Sequence, residues 1–153
     1  HATAVLMHNN RAAPRQTEIS ADMGGRYVDV KYQDILAEVR QGLLGSIQLA
    51  RVAGMADDQI IVDPGIGFGK TTAQNLQVLK GLDQLTDLGF PILLGVSRKS
   101  FIGYTLNLPL SERLEGSLAA NAYGILHGAD IVRVHDVRET ARLARMLDAI
   151  RSA

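Results

Sequence analysis

Polar side chains that could carry out chemistry follow four apolar runs of the sequence. In chain order they are His8, Asp63, Lys70, Ser97, Lys99, Arg133, His135 and Asp136. If the runs are neighbouring parallel strands, these side chains meet, because the carboxyl ends of such strands lie at one edge of the sheet. A carboxylate, a hydroxyl, an ammonium, a guanidinium and an imidazole there suit a substrate that has both a polar ring and an anionic group.

Residues 63–70 form a glycine-rich segment directly after the second apolar run. Its three glycines let the backbone turn sharply and approach a ligand, and Phe68 offers a ring for stacking. The final Gly-Lys-Thr resembles a phosphate-binding P-loop, but Pro64 stands where that motif needs glycine, and the glycine spacing also differs from the dinucleotide fingerprint. A flexible strand-to-helix turn without a ligand remains the alternative.

Two short clusters indicate how a ring could be recognised. Asp63 ends a strand, and its two carboxylate oxygens could accept from a ring N–H and an adjacent amine at the base of a pocket. The alternative is that Asp63 caps the turn that begins at Pro64. Because side chains alternate along a strand, Ser97 and Lys99 are predicted to face the pocket, with Arg98 pointing outward. An exposed basic turn is the alternative for these three residues.

Arg133 and His135 alternate on the last apolar run and are therefore predicted to share a face. A charge inside a parallel sheet is costly without a partner, so we interpret the pair as an oxyanion or phosphate clamp. A structural ion pair, for example with Asp63, is the alternative. His8, His135, Asp63 and Asp136 lack the spacing of metal ligands, so no zinc site is predicted.

Four short apolar runs predict the strands that position these groups. They span residues 3–7, 60–62, 91–96 and 131–134. Each is almost continuously aliphatic, which is typical of a strand covered on both faces in a parallel sheet. Helical periodicity follows each run, so the order is β-α four times, an α/β fold with right-handed crossovers. Residues 9–33 are predicted to be one long loop.

Residue types at the predicted helix ends indicate where two helices begin and end. Thr71 and Thr72 are predicted to cap the helix after the glycine-rich segment, and Gly89 is predicted to end it. Asp136 and Glu139 are predicted to form a capping box that starts the last helix.

Composition excludes several classes of protein. The chain has 153 residues, 16 Lys and Arg against 16 Asp and Glu, and no Cys. A balanced charge does not suit a nucleic-acid binder, the lack of Cys excludes disulfides and thiolate zinc sites, and no run is long enough to cross a membrane. We therefore expect one cytoplasmic domain. Because the chain begins with His1, it is expected to be the later part of a longer protein, either an open sheet or half of a (β/α)₈ barrel.

Five motifs, taken in order, resemble the later half of dihydropteroate synthase. They lie at residues 6–8 (LMH), 63–70 (DPGIGFGK), 95–103 (GVSRKSFIG), 111–117 (SERLEGS) and 131–137 (IVRVHDV). That family is a β/α barrel that condenses p-aminobenzoate with 6-hydroxymethyl-7,8-dihydropterin pyrophosphate to give 7,8-dihydropteroate and pyrophosphate. The resemblance implies that residues 1–153 are one partial pterin-binding domain, the C-terminal half of a TIM (β/α)₈ barrel with strands five to eight.

The resemblance also implies which residues bind the pterin. Asp63 would accept from its amino and ring N–H groups, and Lys99 would donate to its ring. Gly95 would leave room for that ring, while Met7 and Phe68 would line the pocket.

Further roles concern the second substrate and the leaving group. Ser97, Phe68 and Lys99 would contact p-aminobenzoate, and Arg133 and His135 would bind the pyrophosphate. Lys99, Arg133 and His135 would thus be the catalytic residues. With a magnesium ion they would offset the charge that grows on the departing diphosphate.

The same resemblance implies properties of the whole enzyme. Mg²⁺ is expected as cofactor, with its main ligand in the first four strands and none in this chain. A homodimer through the last helices and inhibition by sulfonamides are implied. Without counterparts of those strands, the chain alone is expected to be inactive or very weakly active. The family's usual Met-Arg or Met-Gln is replaced by Asn9 and Asn10.

Two alternative functions remain open on the sequence. One is another pterin-binding barrel, such as a methyltetrahydrofolate methyltransferase, although Arg133, His135 and residues 97–99 favour a pyrophosphate substrate. The other is a noncatalytic half-barrel that serves as an assembly or dimerisation module.

Overall fold

A computed structural model describes residues 2–10, 13 and 18–153 of the chain. The strands are β1 (Ala4–Met7), β2 (Glu18–Ser20), β3 (Gly24–Arg26), β4 (Ile60–Asp63), β5 (Leu93–Leu94) and β6 (Ile131–Val132). The helices are α1 (Ile35–Val52), α2 (Thr72–Lys80), α3 (Ser100–Leu106), α4 (Leu114–Leu126) and α5 (Val137–Arg151). Short 3₁₀ helices span Asp57–Gln59, Leu82–Leu88 and Leu110–Glu112. Within these ranges, no helix is both long and apolar enough to cross a membrane.

Four of the strands lie side by side in the order of the sequence. β1 pairs with β4 and β5 pairs with β6, both in parallel. A parallel bridge between Val62 and Ile92 joins the two pairs. A doubly wound sheet reverses its strand order, whereas a barrel keeps it. The predicted α/β fold with four parallel β/α units is confirmed, and the unreversed order is the one that a barrel requires.

The two faces of this sheet are covered unequally. One face carries Ile60, Val62, Ile92 and Leu94, each at most 1% exposed. The opposite face carries Val5, Ile61, Leu93 and Ile131, of which Val5 and Ile131 are 45% and 36% exposed. The strands, predicted to be covered on both faces, are therefore covered on only one face by the described residues. Right-handed crossovers between strands that advance in one direction put every helix on the same side.

Helix α1 covers the buried face of the sheet. It begins at Ile35 because the Asp34 carboxylate accepts from the backbone N–H groups of Leu36 and Ala37, at 3.0 and 3.1 Å. Such a cap satisfies N–H groups that have no partner inside the helix. The residues that α1 buries recur at helical spacing, and they are Ile35, Val39, Leu43, Ile47 and Ala50.

The single helix predicted to end at Gly89 is in fact two helices. Thr71 caps the first, α2, as predicted, and exchanges hydrogen bonds with Gln74. α2 ends at Lys80 with Gly81 as its C-cap, and a 3₁₀ helix over Leu82–Leu88 follows, with Gly89 as its C-cap. Three residues per turn keep every third side chain on one side. The apolar period continues through both helices because that side buries Leu82, Leu85 and Leu88.

The loop predicted over residues 9–33 contains an antiparallel hairpin of β2 and β3. Its turn is closed by Ser20, whose hydroxyl oxygen accepts from the backbone N–H of Met23 at 3.2 Å. The hairpin packs on α3, where the Tyr104 hydroxyl donates to the carbonyl of Gly24 at 3.0 Å. The sequence did not predict β2 and β3, because each strand has only three residues and contains no apolar run. Residues 11, 12 and 14–17 of the predicted loop lie outside the described residues.

Replacing Leu94 with Ala should lower the free energy of unfolding by about 3 kcal/mol, because the side chain is fully buried in β5 and its loss leaves a cavity. Urea unfolding followed by circular dichroism measures this change. Leu126→Ala is the matched control, since that leucine is 53% exposed on α4. Equal losses for the two variants would contradict the described core.

Candidate active site

The strand register brings four of the predicted site residues to one face. Met7 pairs with Asp63, and Leu93 pairs with Ile131, each two residues before Gly95 and Arg133. The backbone N–H of Arg133 donates to the Leu94 carbonyl at 2.9 Å, which continues the β5–β6 pairing beyond the strand. Because in-register parallel neighbours point the same way, Met7, Asp63, Gly95 and Arg133 lie at the carboxyl edge of the uncovered face.

Asp63 is 4% exposed and lies between a turn and several cations. Its Oδ1 accepts from the Gly65 backbone N–H at 2.7 Å, and its Oδ2 lies 4.0 Å from Nη2 of Arg133. Burial raises the pKa of the Asp63 carboxyl, against the opposing effects of Gly65, Lys99, Arg133 and Lys70. Asp63 therefore does cap its turn, and its second oxygen remains available to a donor.

Lys70, which the sequence places among the polar side chains of the edge without a specific role, holds the glycine-rich loop from inside. It is 1% exposed, and its ammonium donates to the carbonyls of Gly65 and Phe68 at 2.9 and 3.1 Å. Nδ1 of His8 lies 3.0 Å from the same nitrogen, so a neutral His8 accepts the third hydrogen. Burial lowers the pKa of Lys70 to about 8, and burial with the nearby Lys70 charge lowers the pKa of His8 to about 4.

Asn75 holds the loop from outside, and sequence reasoning missed it as well. Its Oδ1 accepts from the Gly67 backbone N–H at 2.6 Å, while its Nδ2 donates to the carbonyls of Lys70 and Thr71. An asparagine on the buried face of α2 is the signal that could have revealed it. The loop also needs Gly65, which has a φ of 69° and whose Cβ would collide with the His8 carbonyl oxygen.

Lys99 reaches across the loop toward Asp63. Its ammonium donates to the Ile66 carbonyl and lies 4.6 Å from the centroid of the Phe68 ring. Burial lowers the pKa of Lys99 to about 8; the charge of Asp63 raises it and that of Arg133 lowers it further. The carboxylate, the ammonium and the guanidinium that the sequence predicts at one edge are therefore together.

A cavity of about 360 Å³ opens beside these groups. Its lining residues are Gly95, Ser97, Arg98, Lys99, Leu110, Arg133 and His135. The prediction that Arg98 points outward is wrong, because Ser97 and Arg98 form a turn, with a φ of 57° at Arg98, and strand alternation does not apply. The Arg98 guanidinium instead binds Asp136, with Nε 3.0 Å from Oδ2.

That ion pair also overturns the predicted capping box. The Asp136 side chain makes no cap hydrogen bond to α5, and the Arg98 guanidinium holds the pKa of the carboxyl below its ordinary value. Glu139 pairs with the adjacent Arg138 and completes no capping box. The sequence spacing is correct for a box, but a charged partner outside the helix competes for the carboxylate.

The anion-binding pair that the sequence predicts lies at the mouth of the cavity. Nδ1 of His135 is 3.0 Å from Oγ of Ser97, and the His135 backbone N–H donates to the same oxygen at 3.2 Å. The Arg133 side chain is 61% exposed, so the expected charge inside a covered sheet is not found. β6 ends at Val132, so Arg133 follows the strand and lies on the uncovered face. A Cβ on Gly95 would lie 2.7 Å from Nη2 of Arg133, so this glycine leaves room for the guanidinium.

The family model described as pterin binding enzyme matches residues 1–135. A dihydropteroate synthase of Clostridium beijerinckii is 49% identical over 123 residues, which are 80% of this chain and 46% of that protein. A solved dihydropteroate synthase from Clostridium difficile, in the presence of pteroic acid, is 42% identical with a TM-score of 0.83, over 97% of this chain and 51% of that one. The inactive dihydropteroate synthase 2 of Mycobacterium leprae is 34% identical over 149 residues, 97% of this chain and 50% of that protein.

The chain spans about half the length of these relatives. The resemblance to dihydropteroate synthase is confirmed, and the structural neighbours put the α/β fold in the TIM-barrel class. The matched residues include every strand of the parallel sheet and all the groups that line the cavity. The chain therefore belongs to the family of pterin-binding enzymes.

Proposed function

We propose that this chain is the pterin-binding and pyrophosphate-binding half of a dihydropteroate synthase, a transferase of folate biosynthesis. The proposal rests chiefly on the convergence of Asp63, Lys99 and Arg133 at one edge of the sheet. One carboxylate among cations suits a ligand that offers ring N–H donors at one end and an anion at the other. Dihydropterin pyrophosphate has that chemistry.

The pterin is proposed to lie over the uncovered face, against Met7 and Phe68. Asp63 accepts from its amino and ring N–H groups, because the Oδ2 atom has no closer partner in the described structure than Arg133 at 4.0 Å. Lys99 donates to the ring from beside Phe68. Burial strengthens these interactions, since competing water is reduced there.

Arg133 and His135 are proposed to hold the pyrophosphate at the exposed mouth of the cavity. We infer that the Ser97 hydroxyl, which accepts from the His135 backbone N–H, donates its own hydrogen to Nδ1, so that Nε2 carries the ring hydrogen. Nε2 and the guanidinium would both donate to the leaving group. The amine of p-aminobenzoate, placed by Ser97, Phe68 and Lys99, would attack the pterin methylene as pyrophosphate departs.

The uncovered apolar face supports the finer proposal that these strands are five to eight of a closed barrel, with residues 1–153 as one partial domain. Val5 and Ile131 expose 45% and 36% of their surface on that face. In a closed barrel, side chains from the other strands fill the interior and cover such residues. Relatives of twice the length have room for those strands.

The residues that the structure describes include no group of side chains that could bind a magnesium ion. No three His, Asp or Glu side chains cluster there in a way that could hold a metal ion. Asp63 accepts from Gly65, and Asp136 is bound by Arg98. We therefore assign the ion no step that runs through these residues.

The oligomeric state and the cellular location of the protein remain predictions. A homodimer through the last helices is supported by α5, where Val137, Met146 and Ile150 are each at least 60% exposed. The cytoplasmic location and inhibition by sulfonamides rest on the sequence and its resemblance. The inactive dihydropteroate synthase 2 of Mycobacterium leprae supports the alternative of a noncatalytic assembly module. Ligand binding and turnover distinguish that module from an enzyme.

Isothermal titration with the dihydropterin pyrophosphate tests the binding proposal. Asp63→Asn should weaken binding about thirtyfold, because hydrogen bonds to a charged acceptor worth about 2 kcal/mol are lost. Asp58→Asn, an exposed change before β4 and at the opposite end of the strand, should leave the affinity unchanged. If the unaltered chain binds nothing and self-associates stably, the assembly module is favoured instead.

The affinity for the same ligand should fall as the pH rises. With a pKa of about 8, Lys99 is charged at pH 7 and neutral by pH 9, so binding should weaken by up to about tenfold per pH unit above 8. Lys70 titrates in the same range, and Lys99→Arg separates the two. If Lys99 is responsible, the arginine variant keeps its affinity at pH 9; a loss that persists would assign the effect to Lys70.

The chain alone should condense p-aminobenzoate with the pterin pyrophosphate at a rate near background. The reason is that four strands leave the cavity open on the side of the uncovered face. Release of pyrophosphate, followed by a coupled assay, measures turnover, with a complete dihydropteroate synthase as the positive reference. Turnover at the reference rate would refute this prediction.

A further inference from the structure

The motif at residues 111–117 has no part in the proposed chemistry, yet it contains the most buried arginine among the residues that the structure describes. Arg113 is 2% exposed and directly precedes α4. Its guanidinium donates to four backbone carbonyls, at 3.0 to 3.3 Å. In chain order, these belong to Asp22, Met23, Arg98 and Leu108. One side chain thereby joins the β2–β3 turn, the turn after β5 and the segment after α3.

A second residue of the motif holds the same turn from its other side. The hydroxyl oxygen of Ser117 accepts from the Arg98 backbone N–H at 2.8 Å and donates to the Arg113 carbonyl at 2.6 Å. The N–H and the carbonyl of Arg98 are therefore both bound by the motif. We call Arg113 and Ser117 the Arg98 clamp.

Arg98 needs such support because its backbone is in the left-handed region, with a φ of 57°. A residue with a Cβ adopts that conformation at a cost and keeps it only where its surroundings determine it. Ser97 and Lys99 adjoin Arg98 and line the cavity. A relaxed Arg98 backbone would redirect both side chains.

We propose that Arg113 and Ser117 are positioning residues that hold Arg98 in its left-handed conformation and thereby place Ser97 and Lys99 at the cavity. Neither clamp side chain lines that cavity. What Ser97 and Lys99 bind rests on the proposed function, whereas the clamp itself rests only on the described contacts.

Gly103 provides a way to disturb the clamp without removing its charge. A Cβ on this α3 residue would overlap the guanidinium of Arg113. Gly116 is the matched control, since its Cβ would overlap Ile102 in the same pair of helices without meeting the clamp. Both glycines are helical, so Ala brings comparable crowding and comparable backbone effects.

Hydrogen exchange of the Lys99 backbone N–H, which is bound to the Val96 carbonyl at 3.1 Å, reports the turn directly. Gly103→Ala and Ser117→Ala should each speed this exchange by about tenfold or more, while Gly116→Ala should change it by less than about twofold. Adding Arg98→Gly to Gly103→Ala should restore slow exchange, because glycine adopts a positive φ freely.

Titration with dihydropterin pyrophosphate supplies the second readout. The two clamp variants should bind about tenfold more weakly than the control, because the groups that meet the ligand are no longer held in place. Unchanged exchange at Lys99, equal acceleration in Gly116→Ala, or full affinity despite a loosened turn would each overturn the proposal. If the unaltered chain binds no ligand, the proposed function fails, while the exchange measurements still decide the clamp.

Discussion

Parallel pairing in sequence order, with every crossover on the same side, is the constraint on which the remaining structure depends. The helices must then bury one face of the sheet, where Val62 and Leu94 are wholly inaccessible. The other face stays open and carries apolar side chains along its length and Met7, Asp63 and Arg133 at its carboxyl edge. The groups proposed to bind substrate thus lie where the other strands of a barrel would enclose them. The strand order therefore accounts both for the fold and for the place of the candidate site.

Two loops that carry the site are each organised around a buried cation. Lys70 donates to carbonyls within the glycine-rich loop, and Arg113 donates to carbonyls of three separate segments. Irregular loops have carbonyls that no strand or helix satisfies, and a multivalent cationic donor supplies several hydrogen bonds at once. Burying a charge costs free energy, and these acceptors offset that cost. The loops gain a defined geometry without regular secondary structure.

The charged side chains at the carboxyl edge of the sheet favour binding of an anionic ligand. Asp63 is the acid beside three cationic side chains, Lys70, Lys99 and Arg133, and burial opposes ionisation of both Asp63 and Lys99. A ligand that donates to the carboxylate and brings negative charge to the cations would satisfy both groups. This complementarity, rather than any single contact, supports the proposal that the ligand is a pterin that carries pyrophosphate.

The sequence by itself determined the four strands, their order and the identity of the residues at the edge, because aliphatic runs and the polar residues after them are local patterns. The motif series also determined the family. Only the tertiary structure decided that Arg98 turns into the cavity, that Asp136 pairs with it instead of capping a helix, and that Lys70 lies buried. Such outcomes depend on partners that are distant in the chain. His8, for example, contacts Lys70 across a separation of 62 residues, and no local sequence pattern contains that information.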